Sequence, residues 1–556
     1  MTTSGRWLRA RWLPLVAGLL AAAPVIVSTV RAVADSWTPY GDRAVIAARS
    51  FDVLSTHPPL VGQYTQWSQI LGRPIFSPGP MLYWLLAIPA HLGSTALPIW
   101  MAVVNVLCIL VTVLLARRRG GDVLMFATAI AIPLMCRSLL SETFHDIWNP
   151  STTPLPFTVL CFAAWSVACG EYRLLPLTVL LVSFLIQTHL TFLAPSLGLL
   201  VVAVIGLVLV RRSRPAPPSD AAPSDGGSLR PWVWASGVIV VLCWIAPLVN
   251  QLFESGNLRL IAKAVLTARG SLGLNAGWHS IVNALGVAPW WLRHPISDPR
   301  RLVEVVTAPG WGAQVSCVIL LLVLIGGLVA GLVRRQAATA SVAAIALVLA
   351  LAMGAGTAST PTSHLLALTV GYTLWWAAPA GMFVWLTAGW LVVRLAPTFG
   401  FRPGFGSRPA GLARRWPAVA LALTALLALL IGFRQPLDSD RGEYKPFASV
   451  ARSLARALPH SDTALVSADP TLQGLELGYT VVYALQRQGA TPLVGPDLAG
   501  YLGSHYVVGD RHYNDRIELV FNHPPPSGFR VIARVRVRPP SPVSVGVFTV
   551  ALGPGR

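Results

Sequence analysis

Asp42, Arg43, Asp52, His57, Gln63, Tyr64 and Arg73 fall in one polar stretch, residues 41–89, of a chain that is otherwise mostly apolar. A carboxylate in such a stretch can deprotonate a hydroxyl as it attacks an electrophilic carbon, and a nearby cation can hold a phosphate as it leaves. Asp42 suits the base, and Arg43, His57, Arg73 and His145 are available for the phosphate. A second polar turn, residues 141–150, brings Glu142, His145, Asp146 and Asn149; Asp146 with Glu142 could instead carry a divalent ion, Mg or Mn, to neutralise the same charge. His189 stands in a third turn, and Gln63, Tyr64, Asn149 and His189 are candidate substrate contacts. Each residue also has a plainer use. Asp42 follows glycine before an apolar run, as a helix cap does, and Asp52 reads as a salt-bridged face of that helix. His57 precedes Pro58-Pro59 in an extended segment, and His189 could be satisfied by backbone in an apolar hairpin.

The elements that must position these residues are membrane helices. With 556 residues, 54% of them hydrophobic and 12% charged, the chain is too apolar for a water-soluble globule. Runs near the roughly 20 residues needed to cross a bilayer lie at 13–31, 95–116, 121–140, 151–169, 173–189, 190–210, 231–252, 314–333, 337–355, 366–393 and 417–433, about eleven spans. Short cytoplasmic loops are rich in Lys and Arg. An inside N-terminus places Arg6, Arg9, Arg11, Arg117 to Arg119, Arg173, Arg211, Arg212, Arg334, Arg335 and Arg394 on one side, while the turns at 141–150, 189 and 356–365 carry no Lys or Arg. The pattern holds only if the helix expected at 80–90 lies in the interface or re-enters, with Tyr83 and Trp84 as interface anchors. A C-terminus outside the cytoplasm follows, in what reads as a bacterial plasma membrane. Basic residues ahead of the first apolar run, with Ala32-Val33-Ala34 behind it, resemble a cleavable signal, but the run is longer than a signal's apolar core.

Four parts result. Residues 1–210 form an N-terminal membrane module with its outer loop at 32–94; 211–230 is a Pro/Ser/Asp/Gly linker on the cytoplasmic side. Residues 231–433 form a second module with an outer loop at 253–313, whose Trp278, Trp290 and Trp291 suit the headgroup belt. Residues 434–556 alternate helical and strand patterns and read as a small extracytoplasmic α/β domain. The net charge of +20 is dispersed over loop ends and the tail, which topology explains without a nucleic-acid partner. All six cysteines fall in or at the ends of apolar runs, so none is set to staple an outer domain.

None of the 22 acidic residues is central in an expected span, which argues against an ion or proton pathway. The carboxylates sit instead at headgroup level. Gly41-Asp42, then Thr56-His57-Pro58-Pro59-Leu60-Val61-Gly62, then Pro78-Gly79-Pro80 and Met81-Leu82-Tyr83-Trp84-Leu85-Leu86 resemble the multispan GT-C glycosyltransferases, closest to bacterial members related to protein mannosyltransferases, aminoarabinose transferases and arabinofuranosyltransferases. Trp148-Asn149-Pro150 and Gln187-Thr188-His189 add to the resemblance, which covers about residues 10–210. It implies sugar transfer from a polyprenyl-phosphate donor to an envelope glycan, lipid or protein on the outer face, with Asp42 as the acting carboxylate. Phe76-Ser77 stands where relatives often have histidine, and the second loop lacks an Asp-x-Asp pair, which leaves the role of a metal open. A transporter or flippase of lipid-linked precursors, or a non-catalytic assembly protein, are the alternatives; charged residues inside spans would favour the first.

Overall fold

The computed structural model describes residues 3–213, 228–293, 306–362, 366, 369–396, 410–439, 441–458, 462–469, 472–537 and 546–555. Most of the linker expected at 211–230 and residues 294–305 of the outer loop lie outside them. The chain is a helical polytopic membrane protein with a small C-terminal sheet domain.

Each of the eleven expected runs contains a helix, but their lengths differ. Among the described residues seven helices are long and apolar enough to cross a membrane: Ala96–Arg137, Leu190–Arg212, Arg230–Phe253, Trp311–Val333, Ala337–Ala358, Ala377–Leu395 and Trp416–Arg434. An eighth is the pair Trp12–Ala21 and Ala23–Ala34, bent by 47°. Ala96–Arg137 is two helices joined where Gly120 and Gly121 leave helical geometry, Gly121 at φ 65°, a conformation that only glycine adopts cheaply. Pro154–Ala168 and Tyr172–Thr188 are apolar but shorter. The run expected to begin at 366 becomes a continuous helix only at Ala377, because the residues before it turn aside as the four-residue helix Val370–Thr373.

Met81–Leu92 has 12 residues, about 18 Å of helix, too short for roughly 30 Å of hydrocarbon. It packs on Asp42–Asp52, and its Tyr83 is 2% exposed. Tyr83 is therefore a buried contact of the polar stretch, whereas the sequence suggested an interface anchor. Trp290 and Trp291, expected in the headgroup belt, are also buried, packed among the second module's helices near Gly371 and Gly381. Burial of a large aromatic depends on which helices surround it, and composition does not reveal that.

At the other end of the bundle the basic loops tie to acidic neighbours: Arg117 Nε to Asp122 at 2.8 Å, Arg119 to Glu171, and Arg211 over the Tyr172 ring. These pairs are partly exposed and contribute little individually.

The C-terminal part begins with Arg441–Ala457 and continues as a five-stranded mixed sheet in the order β2-β1-β3-β5-β4. The strands are β1 Thr463–Ala468, β2 Thr491–Val494, β3 Asp515–Phe521, β4 Arg530–Val537 and β5 Gly546–Pro554. β1 runs parallel to β2 and β3, and β5 runs antiparallel to β3 and β4. The crossover helix between β1 and β2, Leu472–Arg487, lies against Asp42–Asp52. Its Thr480 hydroxyl donates to the Pro39 carbonyl at 3.1 Å, and Tyr483 donates to the Ala90 carbonyl at 2.8 Å.

Candidate active site

The polar stretch folds back on itself. The Gly62 N–H donates to the Ser77 carbonyl at 3.0 Å, Ser77 N–H to Gln63 at 2.7 Å, and Thr65 N–H to Ile75 at 2.9 Å, so Gln63 and Tyr64 are held on a hairpin-like turn. The Pro78-Gly79-Pro80 element is a close-packing point. A Cβ on Gly62 would come within 2.7 Å of the Gly79 carbonyl, and one on Gly79 would collide with the Gln187 side chain. Asn257 from the second module clamps this turn, its side-chain amide accepting from Phe76 N–H and donating to the Phe76 carbonyl, each at 2.9 Å.

Asp42 is the first residue of its helix. Gly41 is the N-cap, at φ 53°, and no side chain caps the helix, so the cap reading of Asp42 does not hold. Its carboxylate faces away from its own backbone. Gln63 Nε2 donates to Oδ1 at 3.2 Å and Trp148 Nε1 donates to Oδ2 at 3.1 Å. Tyr83 donates to Gln63 Oε1 at 3.1 Å, which fixes the orientation of that amide. Behind Asp42, Arg43 Nε pairs with Asp146 at 2.9 Å, and its guanidinium lies 5.2 Å from the Tyr40 ring centroid and 5.9 Å from that of Trp148.

Asp42 is exposed by area and opens onto a cavity of about 100 Å³, with its carboxylate walled by Gln63 and Trp148. Gln63, Tyr64, Trp148, Asn149 and His189 share the lining, joined by Gln66, Thr191, Thr369 and Tyr372. Three turns between helices and the residues ahead of Ala377 thus meet on one space. Among the described residues its wall carries a single carboxylate and no lysine or arginine, with many neutral hydrogen-bonding groups beside aromatic rings. Burial raises the Asp42 pKa above the ordinary carboxylate value; Trp148, Arg43 and Gln63 oppose the rise and Asp146 adds to it. Burial also pushes His189 down to about 4, so it is neutral at pH 7, with Nδ1 2.7 Å from the Thr191 hydroxyl.

Other expected site residues go elsewhere. His57 and Arg73 are exposed and outside the lining; His57 stacks on His505 with centroids 4.9 Å apart. His145 and Glu142 turn away from Asp42 because the segment Ser141–Phe144 is a single 3-10 turn whose side chains splay apart. His145 Nε2 lies 2.9 Å from Asp438 Oδ2, and Glu142 accepts from Ser439 at 2.8 Å. Asp438 also accepts from Ser141 at 2.8 Å and Tyr444 at 2.9 Å, and against the upward push of burial these partners hold its pKa below the ordinary value. These two residues fasten the segment that follows the last membrane helix.

The metal-ligand expectation fits poorly. Asp146 is taken by Arg43, the Trp148 N–H and Ser151, Glu142 by serines, and among the described residues no group of three or more His, Cys, Asp or Glu converges. Tyr372 in the cavity wall and Tyr83 behind Gln63 are contacts that sequence reasoning missed. The helical spacing of Tyr83 behind Gln63 and Asp42 carried no signal of a shared bond.

No family model and no curated protein matches the chain. Among solved structures it is similar to ArnT from Cupriavidus metallidurans in the apo state, at 14% identity and a TM-score of 0.47 over 99% of this chain and 98% of that one. It is also similar to the Archaeoglobus fulgidus oligosaccharyltransferase, tethered to an acceptor peptide containing the NVT sequon, at 12% identity and a TM-score of 0.35 over 92% of this chain and 69% of that one. The same oligosaccharyltransferase in complex with Zn and sulfate gives 11% identity and a TM-score of 0.39, over 91% and 68%.

Proposed function

We propose that the chain is a glycosyltransferase that moves a sugar from a polyprenyl-phosphate donor to a hydroxyl-bearing envelope acceptor on the outer face, with Asp42 as general base. The observation that carries this reading is the position of Asp42: one oriented carboxylate on the wall of a cavity otherwise lined by amides, hydroxyls and aromatic rings. Neutral hydrogen-bonding groups beside flat apolar faces are what a sugar ring requires. A donor carried on a lipid accounts for a site among membrane helices.

In the reaction, the acceptor hydroxyl gives its proton to Asp42 as its oxygen attacks the anomeric carbon, and the bond from that carbon to the phosphate oxygen breaks. The N–H groups of Gln63 and Trp148 aim the carboxylate and keep it from rotating. Its raised pKa makes it a stronger base than an aspartate at the ordinary value. Stabilisation of the leaving phosphate falls to Arg43, adjacent to Asp42 although paired with Asp146, and to the neutral donors Asn149, Thr191 and Tyr372, since no cation lines the cavity itself.

The test is sugar transfer in proteoliposomes supplied with synthetic polyprenyl-phosphate sugars. Asp42→Asn keeps shape and removes the base, and transfer should fall roughly 10²- to 10⁴-fold. Undiminished transfer would sink the assignment, and a wild-type protein that consumes no such donor would sink the function.

A further inference from the structure

A cavity of about 440 Å³ shares no lining residue with the Asp42 cavity. It lies where the first membrane helix ends, beside the turn that precedes Ala96–Arg137, and two helices of the C-terminal part, Arg441–Ala457 and Leu472–Arg487, form its other wall.

Its charge is one-sided. Among the described residues Arg452 and Arg487 are its only charged lining residues, and both are exposed. Neither makes an ion pair among the described residues. Arg452 Nε donates only to the Ala448 carbonyl of its own helix, at 3.3 Å. The Arg487 guanidinium lies over Gly93, at φ 136°, where a Cβ would come within 3.1 Å of Nη2; the glycine lets the guanidinium approach the turn closely. Ser94 and Thr95, next in that turn, and Ser36 and Gln488 opposite add uncharged donors, while Trp37 and Tyr483 supply an apolar floor. Arg441, also exposed, pairs with Asp35 at 2.7 Å, whereas Arg452 and Arg487 make no such pair among the described residues. Two arginines, several hydroxyls and no acid around one space leave an anion as the complementary ligand.

From this geometry we propose a second site, separate from the Asp42 cavity, that binds a phosphate-bearing group between Arg452 and Arg487. The group is the headgroup of an anionic lipid or a soluble phosphate, and the two share the chemistry that the site recognises. The site does not depend on the glycosyl-transfer reading.

Native mass spectrometry of the intact protein released from micelles holding equal phosphatidylglycerol and phosphatidylcholine tests it, alongside titration with inorganic phosphate. The wild type should retain phosphatidylglycerol in preference, and R452Q/R487Q should lose about tenfold or more of that retention, the effect of removing two charge-assisted contacts. R456Q, an exposed arginine on the same helix outside the cavity, should change nothing. R452K/R487K keeps the charge and should retain part of the preference, which separates loss of charge from loss of fold. Retention that inorganic phosphate does not displace identifies the lipid; arginine-dependent displacement at millimolar phosphate identifies the soluble anion. Equal retention of both lipids by the wild type, or equal phosphatidylglycerol retention by wild type and R452Q/R487Q without arginine-dependent phosphate binding, overturns the site.

Discussion

Asp42 and Asp52 stand at the two ends of one eleven-residue helix, and the protein treats them in opposite ways. Asp42 accepts one hydrogen bond on each oxygen and opens onto a cavity. Asp52 is 5% exposed and crowded by donors: Tyr506 at 2.9 Å, Gln486 at 2.9 Å, Arg49 at 2.8 Å, and His505 with Nε2 at 3.2 Å. Three of those four come from the C-terminal part. Asp52 is thus the rivet that fixes the C-terminal domain over the helix, and Asp42 is the carboxylate left with capacity for another partner. Residue type does not separate the two roles; exposure does, together with unused hydrogen-bonding capacity beside an accessible space.

The sharpest break of this contrast is the pair Asp42→Asn and Asp52→Asn in one transfer assay. The first should lose about 10²-fold or more in kcat, while the second retains turnover as long as the domain stays docked. Comparable losses would show that docking, and not proton transfer, limits the reaction. Next in size is Asp52→Ala, which strips a buried arginine, a tyrosine hydroxyl and an amide of their acceptor. The cost is about 3 kcal/mol of docking stability, visible as faster proteolytic release of the part beyond Arg434 with kcat of the intact fraction preserved.

The contrast also sets a pH dependence. The folded-state pKa of Asp42 is raised, so the native protein binds more protons than the unfolded chain between pH 3.8 and the raised value, and stability falls as pH rises through that window. Activity runs the other way, because the base works only once deprotonated. The acid limb of kcat against pH should therefore lie above the ordinary carboxylate range and vanish from the residual rate of Asp42→Asn. Asp438, with its pKa lowered, has the opposite sign: its stabilising contribution is present above the unfolded value and lost as pH falls through the folded one.

A smaller effect belongs to Tyr83→Phe. The hydroxyl that orients the Gln63 amide is lost, about 1 kcal/mol of hydrogen bonding, and kcat should fall about fivefold with KM little changed. A change in KM alone would place Gln63 on the substrate and not behind the base.

The positions of Asp42, Gln63 and Tyr64 were legible because they depend on local order: a span ends, a glycine and an aspartate start a helix, and a Pro-Gly-Pro turn folds the next segment back. The turn that holds Trp148 and Asn149 was legible as a polar connection between two apolar runs. Asp52 was not, since its partners Gln486, His505 and Tyr506 lie more than 400 positions away in sequence. His145 and Glu142 misled for the same reason: a polar turn beside a membrane reads as a site until Asp438 and Ser439 arrive from beyond the last span. Helix count suffered differently, because Pro154–Ala168 meets the apolar criterion while its length does not decide a crossing.

His57 gives the smallest effect and the cleanest control. By type and position it was as good a phosphate ligand as any residue of the polar stretch, but it stands exposed, hydrogen-bonded to Thr56 at 3.0 Å and stacked on His505 with an interplanar angle of 1°. Its link to Asp52 runs only through that ring. His57→Ala removes an exposed stacking contact and no buried acceptor, so it should change docking stability by under about 0.5 kcal/mol and leave kcat and KM unaltered. A large loss of turnover, with the C-terminal part still docked by proteolysis, would mean that substrate reaches past the cavity to the rim where His57 and His505 meet. The boundary between the working end of the helix and its riveted end would then have to move.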